Sequence, residues 1–465
     1  MIKKILKILL VVLILVVCFL FWALNTVDYT PYFKSDYYAT TKARLDSIAT
    51  NPGVSRGQVQ LGFGRKSITP TLLEDTYDPA EGKFVALPLS GYGGREGMPA
   101  TGIHDSLFVK AMAVKVNEKI MVFIGSDLLI MPPEVSKLSI TAVEKEIGLT
   151  QENIFYSATH THSSVGAWSA GRVGELFAGE YNPDVVSWLS QQVAKTIIEA
   201  VKNLQPGKIG VGNFHARQFV KNRLVGDDGV VNDDFLMIVA EQLSGTRAIL
   251  GSFDAHATTL GDWNMEFSAD YPGYWQRKLE TNGFDMAMFF AGSVGSHSYQ
   301  SQGERFEKSR YIGEALADST IKYSQEIITK DSITTASLTL KIDYPELQIR
   351  VSDGLCLNPV IARSLFPDVG DVYLQTIRLD SLIWTTTPSD FSGETALTYK
   401  NVMYKKGFRA MVTSFNGAYT GYIIPCKYYH LNAYESRMMN WFGPGYNPFI
   451  NYMIGELIEK VSSAR

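Results

Sequence analysis

NIFYSATHTHSSVG, residues Asn153 to Gly166, is an apolar run that turns polar within one step. Ile154, Phe155 and Tyr156 read as a strand buried on both faces, and Ser157 to Ser164 add no large apolar residue. Four other segments have the same form: AILGSFDAH (248–256), MAMFFAGSVGSHS (286–298), SLIWTTTPSD (381–390) and MVTSFNGAYTGY (411–422). Long apolar strands bounded this way are buried under helices. The expected fold class is therefore α/β, with β-sheets covered by helices in a layered sandwich, in a single large domain. In such folds chemistry gathers beyond the strand ends, where polar groups converge without breaking the core. Four of the five tails carry a potential metal ligand, and the fifth is rich in serine.

Working outward, PPEVSKLSITAVEKEIG (132–148) predicts a helix opened by proline and closed by Gly148. NPDVVSWLSQQVAKTIIEAVKNLQPG (182–207) predicts a longer one with a Pro-Gly stop. VQLGFGRKSITP (59–70), SLFVKAMAVKV (106–116) and KIMVFIGSDLLI (119–130) read as strands. No internal repeat or low-complexity tract is visible in the sequence.

The whole chain sets limits. Its 465 residues, 46% hydrophobic and 19% charged, suffice for a sizeable core. A formal net charge of -4 argues against nucleic acid as a partner, which needs a basic face. Three cysteines, Cys18, Cys356 and Cys426, exclude a disulfide scaffold and a cysteine-only zinc site, leaving one Cys356–Cys426 bridge open.

At the N-terminus, Lys3, Lys4 and Lys7 precede an unbroken apolar run from Ile8 to Leu24. The run is near the lower limit of about 17 residues for crossing a bilayer core. Phe21-Trp22-Ala23 is a poor cleavage site, and Val17 and Phe19 fit lipidation of Cys18 poorly. The expectation is an uncleaved membrane anchor over 1–24, a linker with a short helix over 25–57, and a catalytic body over 58–465. The lysines place the N-terminus in the cytoplasm and the body outside, periplasmic or at the cell surface.

Only seven histidines occur in the chain, yet His160 and His162 stand one residue apart. On an extended segment they share a face. They fit either a metal site or a hydrogen-bonded strand end, and the motif alone does not separate the two. Two imidazoles with a carboxylate would suit zinc.

YSATHTHSSVGAW resembles a motif of the neutral/alkaline non-lysosomal ceramidase family, in its N-terminal catalytic domain, and the resemblance continues in order. It takes in GFGRKSITP (62–70), FDAHATTL (253–260), SADYPGYW (268–275), FFAGSVGSHS (289–298), TTPSDFS (386–392), and NGAYTGYI with YYHLNAYE (416–423, 428–435). The resemblance implies a zinc-dependent hydrolase cleaving the N-acyl amide bond of ceramide or a related N-acyl lipid, with one zinc per chain. It places the metal ligands at His160, His256, Asp390 and Tyr422, making His162 a neighbour of the metal. It places active-site roles at Ser298, at Arg223 of VKNRLVG, and at Tyr434. Water activated on the metal attacks in this reading, with Ser298 positioning the amide; Ser298 as nucleophile is the alternative.

Departures from the family are specific. Asp390 stands where the family has glutamate, Ser296 where it has aspartate, Tyr299 and Ala257 where it has proline. The sequence ends at Arg465, soon after the last motif, without the immunoglobulin-like domain of longer members. They leave two other readings in play, a same-fold metallohydrolase on another amide or ester, and a non-catalytic envelope lipid-binding protein. LSGYGGREG (89–97) lacks the lysine of a P-loop and reads equally as a flexible loop near the site mouth or a plain surface turn. His104 and Asp105, before a strand, read as structural. His297 could serve as acid or base only if its turn aims it inward.

Overall fold

The computed structural model describes residues 2–464. The N-terminal apolar run forms α1 (Ile2–Ala23), whose 22 residues rise about 33 Å, enough for a bilayer core. Almost all of its side chains are exposed. The chain then passes straight into the body, Leu24, Asn25 and Thr26 pairing antiparallel with Leu357, Cys356 and Leu355. Segment 25–57 carries α2 (Asp36–Ile48), whose first turn is capped by Ser35. The segment is packed rather than loose, with Tyr32 and Tyr37 against Phe449.

Twelve strands form one branched sheet, in three units with the same order of elements. In the first, β1 (Ser55–Ser67), β2 (Phe108–Val116) and β3 (Lys119–Ser126) are antiparallel. The helix α3 (Pro133–Ile147) then crosses to β4 (Ile154–Ala158), parallel to β3, and α4 (Pro183–Lys202) follows. The second repeats this with β5 (Gln205–His215), β6 (Asp234–Gln242), β7 (Arg247–Phe253), α5 (Asp270–Glu280), β8 (Met286–Ala291) and α6 (Phe306–Ser324). The third has β9 (Ser332–Lys341), β10 (Tyr373–Leu379), β11 (Leu382–Thr386), α7 (Gly393–Lys405), β12 (Arg409–Thr413) and α8 (Tyr446–Ser462). The recurrence lies in topology, which hydrophobic patterning fixes without any repeat of residues.

The first strands of the units meet at one junction. β1 pairs with β9 through Arg56 and Thr334, and with β5 through Leu61 and Gln205. A bridge from Ile209 to Lys330 closes the circuit. The inner faces share an apolar core in which Trp384 lies 4.6 Å from Phe123 and 5.4 Å from Phe290, one aromatic ring from each unit. Burying each such ring contributes about 1.5–3 kcal/mol. Helices cover the outer faces. Gly62 and Gly64 of β1 admit α4 closely: a Cβ on Gly62 would stand 1.9 Å from the Ala200 carbonyl oxygen.

One sequence expectation needs correction here, and one open question closes. The helix predicted to stop at Pro206-Gly207 ends at Lys202, and both residues belong to β5. Cys356 and Cys426 do not pair; both are free thiols, the first buried beneath the Leu24–Thr26 strand and the second exposed in a turn.

The parallel pairs β3/β4, β7/β8 and β11/β12 end on one side of the molecule. Their tails are knitted together there, Ser157 Oγ donating to the Ser414 carbonyl (2.9 Å) and Ser414 Oγ to that of Gly292 (2.8 Å). Each unit thus delivers polar residues to one place.

Candidate metal centre

His160 leaves β4 in the left-handed region, φ 62°, a conformation costly for a residue with a Cβ and held here by its surroundings. Its amide donates to the Leu128 carbonyl (3.1 Å), its Nδ1 to that of Leu129 (2.6 Å), and Phe415 stacks on its ring at 4.3 Å. His256 follows β7, and its Nδ1 donates to the Val294 carbonyl at 3.3 Å. A carbonyl only accepts, so both Nδ1 atoms carry the proton and both Nε2 atoms present lone pairs. Those Nε2 atoms lie 2.8 Å apart, and His162 Nε2 is 3.3 Å from that of His160. The three rings form a group able to hold a cation.

Asp390, from the tail of β11, completes the cluster. Its Oδ2 accepts from the Tyr419 hydroxyl (2.7 Å), while Oδ1 is buried without a hydrogen-bond donor, 3.4 Å from His160 Nε2. Burial pushes the Asp390 carboxyl up to about 7, against hydrogen bonding by Tyr419 and the charge of Arg223. Burial also pushes His160 down to about 3, and His162 and His256 well below the usual imidazole range. Neutral imidazole lone pairs facing one another and an unpartnered carboxylate oxygen repel unless a cation lies between them. The donor set fits a divalent transition metal.

Tyr422 pairs in register beside Asp390 on a two-residue strand. Arg223 donates from Nη2 to the Tyr422 hydroxyl (2.9 Å), and its Nε lies 2.8 Å from Glu435 Oε1. Burial alone would weaken its charge, but Tyr422, Glu435 and Asp390 carry its pKa upward. The Tyr434 ring stands 5.8 Å from that of Tyr422, and burial raises its hydroxyl to about 12. Above these groups opens a cavity of about 90 Å³, walled on its apolar side by Leu129, Trp168, Phe177, Met439 and Trp441.

The comparisons with known proteins point one way. The family described as "Neutral/alkaline non-lysosomal ceramidase, N-terminal" matches residues 77–225. A neutral ceramidase of Pseudomonas aeruginosa is 23% identical over 258 residues, covering 51% of this chain and 37% of that protein. Its crystal structure superposes with a TM-score of 0.71 at 17% identity, over 87% of this chain and 74% of that one. The likeness is to the neutral/alkaline ceramidase family. A second structure, "Ceramidase complexed with C2", gives a TM-score of 0.70 at 17% identity over 86% of this chain and 75% of that one.

The ceramidase-like chain brings His160, His256, Asp390, Tyr422, Arg223 and Tyr434 together. His162, expected as a neighbour, lies at ligand distance. Ser298 stands apart in side chain though not in backbone. It bridges to His256 and pairs with Lys221, yet it lines a separate surface depression with Lys221 and Lys308. His297 is engaged at both nitrogens: Nε2 accepts from the Asn232 amide (2.9 Å), and Nδ1 bonds Ser296 Oγ (2.8 Å). Ser296 Oγ also accepts from the Gly393 amide (3.1 Å), so the altered turn is a closed network that leaves His297 no free lone pair.

Sequence reasoning missed Tyr419, Glu435 and Arg95. Tyr419 and Glu435 sat inside the quoted NGAYTGYI and YYHLNAYE motifs, Tyr419 three residues before Tyr422 and Glu435 directly after Tyr434. Arg95 belongs to the glycine-rich stretch read as a flexible loop or a surface turn. That loop is instead a packed wall: Arg95 is buried and donates to the Ser90 (3.1 Å) and His162 (2.5 Å) carbonyls. Gly91, at φ 118°, admits the His162 side chain, whose Cβ lies 2.6 Å from where its own would be.

Proposed function

We propose that this chain is a zinc-dependent amidohydrolase that cleaves the N-acyl amide bond of ceramide or a related N-acyl lipid. The products are a fatty acid and an amine (a sphingoid base), the oxygen of water entering the acid and its proton leaving on the amine. The supporting observation is the cluster of His160, His162 and His256, with the unpartnered Asp390 Oδ1 3.4 Å from His160 Nε2, beside an apolar-walled cavity lined by His160, His162 and Asp390. His160, His256, Asp390 and Tyr422 would hold one zinc, with His162 beside them. Bound zinc supplies a Lewis acid that polarises a carbonyl and activates water.

The remaining roles belong to the chain's own groups. Arg223, fixed by Glu435 and Tyr422, keeps a positive charge where the carbonyl oxygen becomes an oxyanion. Tyr434 stays protonated at neutral pH and donates a hydrogen bond to substrate at the mouth. Ser298, on the backbone bridge to His256, positions the amide once its side chain turns from the separate depression toward the centre, and forms no covalent intermediate. Residues 58–465 form the catalytic unit, held to the membrane by 1–24 through the 25–57 segment.

The chain aligns with little more than a third of the curated relative's length, and the cavity measures only about 90 Å³. Those two facts favour, as second reading, a smaller amide or ester substrate on the same centre. Metal analysis of the detergent-purified full chain, with hydrolysis assays on N-acyl lipids and short amides, tests both. A protein purified without chelators that carries no stoichiometric transition metal rules out both.

A further inference from the structure

The anchor and the cavity mouth are joined by one rigid block. β9 ends at Lys341 and β10 begins at Tyr373. Since β10 is antiparallel to β11, whose carboxyl end bears Asp390, the excursion 342–372 lies at the active-site end. It is this excursion that receives the anchor, through Leu355–Leu357 against Leu24–Thr26. The join continues into the helix itself: the Asn358 amide donates to the Ala23 carbonyl (2.8 Å), and its Nδ2 to that of Trp22 (3.1 Å).

The loop 426–441, which supplies Tyr434, Met439 and Trp441 to the cavity, rests on the same excursion. Arg350 donates to the Tyr429 carbonyl (2.9 Å) and to that of Ser436, and Arg437 pairs with Asp353 (2.6 Å). Tyr29, just past the anchor strand, donates to the Asp353 carbonyl (2.9 Å) and stacks on His430 at 6.2 Å. Few residues between helix and loop are free to swing. The block nevertheless leaves large apolar side chains in solvent: Met438 is 63% exposed, Val360 57%, Val351 52%, and Leu431 38%.

We propose that this block is a membrane-seating surface: the bilayer that α1 enters also covers the 349–360 and 428–438 segments, so the cavity mouth opens against the lipid. The occupant is the interfacial layer of the leaflet at which α1 emerges. The argument is continuity with an apolar helix that leaves no slack between bilayer and body. Aromatic residues Trp22 and Tyr29 flank the exit, as at membrane interfaces. Seating there lets an acyl chain pass from the leaflet to the cavity without crossing water. The inference rests on the hydrolase reading only for its purpose, since the geometry concerns the anchor and the rim.

Depth-dependent quenching tests it in the full chain, reconstituted in vesicles with and without brominated lipid, on a Cys18→Ser, Cys426→Ser background. A fluorophore on Met438→Cys or Val360→Cys should lose at least half its emission to brominated lipid. One on Leu243→Cys, in the β6–β7 turn at the opposite strand ends, should lose less than a tenth. Equal quenching at all three positions, none at Met438 and Val360, or a mature N-terminus beyond Ala23 overturns the proposal. A second arm uses Leu431→Glu with Met438→Glu. Hydrolysis of a vesicle-borne N-acyl lipid should fall about tenfold, while hydrolysis of a water-soluble short-chain amide stays within twofold. Equal loss on both substrates overturns the seating role. Absence of any hydrolysis by the parent protein refutes the proposed activity and leaves the quenching result to decide the surface.

Discussion

At the scale of single residues, the centre works through tautomers that the backbone dictates. The carbonyls of Leu129 and Val294 hold the Nδ1 protons of His160 and His256, leaving both Nε2 atoms as donors to a cation. His160→Ala and His256→Ala should therefore each lose stoichiometric metal and all hydrolysis, while circular dichroism and elution volume stay those of the parent. Asp390→Glu tests the shorter ligand: if the carboxylate is a ligand, the variant retains metal by elemental analysis whereas Asp390→Ala does not. Ser298→Ala should be slower by about 10²–10³, the usual cost of one positioning hydrogen bond, and not inactive. Mass spectrometry during turnover should find Ser298 unacylated; a trapped acyl-serine would replace the positioning role with a nucleophilic one. Away from the centre, burial raises the Asp270 carboxyl from 3.8 to about 6. A raised acid pKa favours the folded state most below pH 3.8, and that advantage is lost as pH rises through about 6. Asp270→Asn has no such titration, so its stability deficit against the parent should shrink by about 3 kcal/mol between those limits. Urea midpoints across that range measure it, and a deficit independent of pH would show that Asp270 titrates normally.

At the scale of elements, what the sequence exposed and what it hid follow from the range of the forces involved. The five apolar runs with polar tails became β4, β7, β8, β11 and β12, because burial on both faces writes itself into consecutive residues. The Pro133 and Gly148 boundaries of α3 were legible as local backbone chemistry. The Pro206-Gly207 stop was misread because strand pairing, a long-range contact, took both residues into β5. The proposed ligand set came from family motifs, whereas the Arg223–Glu435 pair and the wall made by Arg95 arise between segments far apart in sequence and had no local signature. Gly62 and Gly64 show a middle case. The GFG spacing puts both on one face of β1, but only α4 lying across them explains why no Cβ fits. A Cβ on Gly64 would meet the Thr196 carbonyl oxygen at 2.3 Å, so backbone rather than a flexible side chain must yield. Gly62→Ala and Gly64→Ala should each destabilise the body by about 1–3 kcal/mol. Urea unfolding of the detergent-solubilised chain reads this, and unchanged midpoints would mean that α4 moves off β1 freely.

At the scale of the whole molecule, three units of like topology bring one proposed ligand each to a shared end: His160 from the first, His256 from the second, Asp390 from the third. No unit alone holds a site, so metal binding should report on the packing of all three. The Phe123–Phe290–Trp384 contact is where that packing is set. The same end receives α1, which ties the orientation of the body to the orientation of that helix. Lys3, Lys4 and Lys7 lie before the apolar run with no acidic residue among them, and positively charged flanks stay on the cytoplasmic side. On the proposed anchor reading the body lies outside, within a few residues of the bilayer, since Leu24 already pairs with Leu357. Protease added to intact spheroplasts should digest the body and leave a short membrane-bound fragment that carries the N-terminus. Permeabilised spheroplasts should give the same result, because no part of the body lies behind the membrane. A body protected until permeabilisation would place it in the cytoplasm and reverse the topology, while leaving the chemistry of the centre untouched.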